Sequence, residues 1–251
     1  MVACSRRGQV LIVAAFAISI LLLSANVYIY RNSRIDASPA YDPLIDYAQH
    51  IRLGTIHAVT ASLVNVSNGG ASSNLGDNLD RWEAFTRGDY RFGVCDLNAS
   101  LGSQAPYSDG VWLDWGSSGL GVSSTYVDLS LDISGRGAEV NWSFPVNRTT
   151  EMRVSGSYTV IVGDQKGVTV TLSMLNEGSP ALAQSTSLEY WDTGLWNDAS
   201  LEGDYTAMDY GNGTIRFTFS VDIPGAQVDI RMQAIDERGV FVQAQETLSE
   251  G

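Results

Sequence analysis

Between Tyr190 and Gly213 the chain reads YWDTGLWNDASLEGDYTAMDYGNG, a stretch dense in groups that could do chemistry. Asp192, Asp198, Glu202, Asp204 and Asp209 crowd among Trp191, Trp196 and Tyr205. Carboxylate oxygens at this density could hold a calcium ion, with Asp198, Asp204 and Asp209 as the metal candidates. The aromatic rings could instead form a platform on which a sugar ring stacks. The D-x-[DN]-x-[DN]-G order of an EF-hand is missing, and Asp in such loops ordinarily makes turns with its own backbone. A glycosidase would need two opposed carboxylates at a set separation, which spacing along the chain does not supply.

Other nucleophiles and ligands are few. His50 and His57 lie seven apart on one predicted helix, whereas a metal pair needs ligands at closer helical spacing or a third from elsewhere. They read as boundary or packing residues. Cys95 sits in Gly-Val-Cys-Asp-Leu, where Asp96 opposes a thiolate, so a small core residue in a strand is expected. Cys4 and Cys95 flank a long apolar block and are not placed to pair across it. No G-x-S-x-G, P-loop or dinucleotide-binding glycine pattern appears, and Gly116-Ser-Ser-Gly-Leu-Gly121 reads as turns before a strand. These patterns imply no catalytic residue and no cofactor, so a non-enzyme is expected.

The elements that must position these residues follow from periodicity. Asp42 and Pro43 open a helix whose apolar face is Leu44, Ala48, Ile51, Thr55, Val59 and Leu63, ending near Val64. After the loop NVSNGGASSN, Leu75, Leu79, Trp82 and Phe85 define a second helix stopped by Gly88. The period then changes to two. Tyr90, Phe92 and Val94 alternate, as do Val127 to Ile133, Val140 to Phe144, Val168 to Met174, Ile215 to Val221 and Val228 to Met232. Glycine-rich turns at Ser134–Gly137, Gly163–Gly167 and Asp236–Gly239 separate them. The expected class is α+β, mainly β: a small helix-plus-antiparallel-sheet module over residues 43–135, then an Ig-like β-sandwich over 136–251.

Charge narrows the partners. A net charge of -13 and a single lysine, Lys166, leave no basic stripe for a phosphate backbone, so no nucleic acid is expected. Gln9 to Tyr30 carries no charge, and as a helix it would span ~33 Å, matching the ~30 Å apolar core of a bilayer. Tyr28, Tyr30, Arg31 and Arg34 suit the far interface. The expectation is a single transmembrane helix over 9–30 followed by a polar linker over 31–42. Sequons at Asn65, Asn98, Asn141, Asn147 and Asn212 are glycosylation candidates and favour an exterior position for the β-rich part.

Arg6-Arg7-Gly8-Gln9 abutting that apolar run resembles the class III leader of archaeal type IV prepilins. The resemblance implies a leader over residues 1–8, cleaved between Gly8 and Gln9 on the cytoplasmic side, with the helix retained as anchor. It further implies a single-pass cell-membrane protein of an archaeon, cytoplasmic at its N-terminus, with an extracellular and glycosylated C-terminal part. Its role would be structural, as a type IV pilin-like minor component of a surface filament or cell envelope. Its partners would be the lipid bilayer, other copies of itself or other pilin-like subunits. Pro39 and Pro43 prevent an unbroken pilin shaft from running on from the membrane. That hinge suits the alternative, an anchored surface binding module recognising a glycan, calcium or an envelope partner through the 190–213 loop.

Overall fold

A computed structural model describes residues 43–91, 93–135 and 138–251. The leader, apolar helix and linker expected over 1–42 lie outside the described residues, as do Phe92, Arg136 and Gly137. The fold is mainly β, with two helices and antiparallel sheets. Residues 47–251 make one compact unit. Among the described residues no helix is long and apolar enough to cross a membrane.

Helix α1 (Pro43–Ser67) outruns its expected end by one turn. Gly69 closes it at φ 96°, a conformation that costs glycine little, and the Gly70 amide donates back to the Asn65 carbonyl at 2.9 Å. Ala48, Ile51, Thr55, Val59 and Leu63 are all buried, as their spacing requires. Helix α2 (Asn74–Asp89) lies against α1. Trp82 Nε1 donates to Thr55 Oγ1 at 2.9 Å, and its ring fills space that a side chain at Gly54 would occupy. Leu75 and Leu79 are buried, but Phe85 is 57% exposed and stacks on Trp82 instead of joining the inner face.

The larger sheet runs β1 (Gly93–Leu101), β3 (Leu120–Gly135), β4 (Ala138–Val162), β5 (Gln165–Asn176), β10 (Thr214–Asp222), β9 (Thr206–Asp209). Two short strands join it: β2 (Val111–Trp115) pairs with β3, and β6 (Ser179–Pro180) with β5. The smaller sheet has the order β12 (Phe241–Leu248), β11 (Val228–Asp236), β7 (Ala183–Asp192), β8 (Leu195–Asp198). Residue 135, the expected module boundary, falls in the β3–β4 hairpin, which pairs continuously from Leu120↔Arg153 to Gly135↔Ala138. One sheet therefore serves both expected modules.

A single face of that hairpin does two jobs. Toward its tip, Val127, Leu129, Leu131, Ile133, Phe144 and Val146 are buried on the helix side, where the Arg52 guanidinium of α1 lies 5.5 Å from the Trp142 ring centre. Toward its open end, Met152, Val154 and Tyr158 pack with Leu172, Phe217 and Phe219 against Leu188, Ile230, Met232, Val242 and Leu248 of the smaller sheet. Each such burial contributes roughly 1.5–3 kcal/mol, against about 0–1 kcal/mol for an exposed ion pair. Apolar burial therefore holds the two sheets face to face.

In β1 the inward residues are Cys95 and Leu97, while Val94 is 59% exposed. Of the expected series Tyr90, Phe92 and Val94, Tyr90 precedes β1 and Phe92 lies outside the described residues; Val94 faces outward, one residue out of register with the expected face. A one-residue slip exchanges the two faces of a strand.

Candidate functional site: an aromatic groove on the smaller sheet

The stretch expected to be a long loop is mostly ordered structure. Strands β7 and β8 form a hairpin closed by Thr193 and Gly194, both at positive φ (49° and 88°), the backbone of a tight type I′ turn. This turn sets Trp191 directly opposite Trp196, with ring centres 5.2 Å apart and planes at 66°. Alternation sends Leu188 and Tyr190 into the core and leaves Glu189 and Trp191 outside.

Neighbouring strands complete the outer face. On β11, Arg231 stands opposite Glu189 and donates Nε to its carboxylate at 2.5 Å. The same guanidinium lies 4.7 Å from the Trp196 ring centre, a cation–π contact that fixes the indole. Asp229 stands opposite Thr247 of β12, whose hydroxyl donates to Asp229 Oδ1 at 2.6 Å. From the larger sheet, the turn between β2 and β3 reaches across to β12: the Gln245 amide donates to the Gly116 carbonyl at 2.9 Å, and the Gly119 amide to the Gln245 carbonyl at 2.8 Å. Gly119 has φ 72°, and a Cβ there would lie 2.3 Å from the Val154 carbonyl oxygen, so only glycine fits.

These parts enclose a groove of about 380 Å³ lined by Ser117, Trp191, Trp196, Asp229, Gln245 and Glu246, with Thr247 at its side. Trp191 is 39% exposed. Arg231 is already paired with Glu189, so Asp229 leaves the outer face of the groove electronegative. A second depression of about 450 Å³, on the outer face of the larger sheet, is lined mainly by Asn98, Ser100, Asp128, Ser130, Ser143 and Pro145. Sequon residue Asn98 is part of that lining.

The carboxylates of the 190–213 stretch are dispersed among separate local partners. Asp198 accepts the Ser200 amide at 2.8 Å and caps a 3-10 turn over Ala199–Leu201; Asp209 accepts the Gly211 amide at 2.8 Å. Asp204 accepts both the hydroxyl and the amide of Ser220, which hold its carboxyl below the usual carboxylate range. Glu202 accepts from the Tyr190 hydroxyl; burial, helped by that bond, pushes this phenol up to about 12. Among the described residues no three His, Cys, Asp or Glu side chains converge as a metal would require. Tyr205 turns inward onto Phe217, leaving the two tryptophans as the outer aromatic pair.

His50 and His57 are exposed on α1. Cys95 is buried in β1 as its setting implied, and burial, then Asp96, pushes its thiol up to about 11. The sequon asparagines Asn65, Asn98, Asn141, Asn147 and Asn212 are all exposed. Sequence reasoning missed Asp229, Gln245, Glu246 and Thr247. The signal was present: Asp229 and Arg231 interrupt the buried Val228–Ile230–Met232 series and mark the outward face.

The chain matches no known protein family, and no curated protein matches it either.

Proposed function

We propose that this chain is a membrane-anchored exterior protein of structural role, similar to archaeal type IV pilin-like proteins, serving in a surface filament or the cell envelope. The observation that carries this reading is the uncharged segment Gln9–Tyr30, long enough to span a bilayer and preceded by Arg6-Arg7-Gly8. Two features support it. No described helix could supply an anchor in its place. The five sequon asparagines are exposed, as an exported glycoprotein needs. Anchoring would leave the mainly β body outside, with the lipid bilayer, further copies of this chain or other pilin-like subunits as partners.

Cell fractionation tests this directly. The full-length chain is expected in the membrane pellet after alkaline carbonate washing, with its β-rich part cleaved by protease added to intact cells. Recovery from the cytosol without detergent would overturn it.

A second reading, an anchored binding module, is favoured by one specific observation. The Trp191–Trp196 pair and the polar groups of β11 and β12 share an open groove on the outer face of the smaller sheet.

A further inference from the structure

We propose that the groove between β8 and the β2–β3 turn binds the pyranose ring of a neutral sugar. This rests on the binding-module reading and names its ligand class.

The groove combines the two things that sugar recognition needs. A pyranose is amphipathic: its C–H face is apolar and its rim carries hydroxyls that both donate and accept. Trp191 supplies a flat, partly exposed indole. Trp196 beside it is held between Trp191 and the Arg231 guanidinium, so the aromatic wall is in place before any ligand arrives. On the polar side, Asp229 Oδ1 accepts from Thr247, while its Oδ2 and the side chain of Gln245 carry no hydrogen bond within the described residues. Carboxylate and amide groups at the edge of a ring platform suit sugar hydroxyls, which can donate to both. The volume of about 380 Å³ sits at the small end of the ~300–1,000 Å³ range of ligand pockets, suited to one or two rings.

Charge selects within the sugars. Asp229, on a chain of net charge -13, repels uronates and sulfated or sialylated units. A quaternary ammonium is the other ligand that aromatic walls attract. Here the Trp196 ring already has Arg231 as its cation, which favours an uncharged guest.

The test uses the detergent-solubilised full chain and three probes: methyl glycosides of glucose, galactose and mannose with their disaccharides, glucuronate, and tetramethylammonium. Tryptophan fluorescence and saturation-transfer NMR are read together. The neutral glycosides should give a saturable response, with transfer strongest at ring C–H protons. Trp191→Ala should weaken it about tenfold, the effect expected from losing one aromatic contact. Asp229→Asn, an exposed change that leaves the fold intact, should weaken it several-fold, and Trp82→Phe on α2 should leave it unchanged. Equal binding of glucuronate, or a response unaltered in Trp191→Ala, overturns the proposal. Binding of tetramethylammonium alone overturns the sugar assignment but keeps the binding-module reading. Silence toward all three probes removes both, without touching the anchor.

Discussion

Arg238 Nε donates to the Asp236 carboxylate at 2.8 Å across the β11–β12 turn, and Asp236 has no exposed surface. The same carboxylate accepts from the amides of Arg238 and Val240 and from the Thr150 hydroxyl of β4. Arg238 continues to Glu177 and to the Thr149 carbonyl. This ion pair, buried at Asp236 and half-buried at Arg238, ties the turn of the smaller sheet to the larger one, beside the end of α1, where Ser67 accepts the Phe241 amide. Removing Asp236 leaves the Thr150 hydroxyl and the Arg238 and Val240 amides without their acceptor. Asp236→Ala is expected to lower unfolding free energy by about 3–5 kcal/mol, with the double variant Asp236→Ala/Arg238→Ala costing less than the two single changes combined. Urea titration measures both; a loss below about 1 kcal/mol in the single variant would show that the pair is not structural.

Among the groups through which alkaline pH should act, Tyr190 included, Cys95 comes first and Tyr47 shows the phenol case. Both groups are acids whose protonated form the fold prefers, mainly through burial, the thiol at about 11 and the phenol at about 12. The unfolded chain therefore releases these protons first as pH rises. Stability is whole below the thiol's ordinary 9.0 and declines from there toward about 11. Urea midpoints from neutral pH upward should show this decline, and Cys95→Ala should flatten its lower part. An identical pH profile in that variant would contradict the assignment.

Lys166, the chain's only lysine, is 2% exposed; its ammonium donates to the Ile223 carbonyl and lies 5.2 Å from the Tyr158 ring centre. An amine-reactive reagent should leave Lys166 unmodified in the folded protein and modify it fully in denaturant. Peptide mapping reads the difference. Rapid native modification would mean that β5 opens readily at this position.

The sequons are not equivalent despite their common exposure. Asn147 accepts from the Thr149 hydroxyl at 2.9 Å and Asn212 from the Thr214 amide at 3.1 Å, so each amide nitrogen stays free. Asn141 instead donates its amide nitrogen to Asp132. Glycopeptide mapping of the membrane form should find higher occupancy at Asn147 and Asn212 than at Asn141. The reverse order would mean that attachment ignores these folded contacts.

How much of this the sequence disclosed depended on how local the determining interaction is. The buried face of α1 was legible because Ala48, Ile51, Val59 and Leu63 repeat at the helical period whatever packs on them. The series Val127 to Ile133 was legible for the matching reason in a strand. The start of β1 was not: Tyr90 suggests an inward aromatic, yet it stacks on Tyr47 of α1, 5.0 Å away, and β1 begins after it. The groove was half legible. Trp191 and Trp196 stood out, but Asp229 and Thr247 join them through strand pairings that no local period encodes: Arg231 meets Glu189 across 42 residues, and Asp229 meets Thr247 across 18. The carboxylates that did stand out, Asp198, Asp204 and Asp209, serve turns and strand edges instead.

The anchor is tested most directly by the N-terminus of the membrane-extracted chain, read by intact-mass and terminal peptide analysis. The expected result is a mature protein that starts at Gln9 and keeps the whole of Gln9–Tyr30. An intact Met1, or a start beyond Ser24, would contradict it.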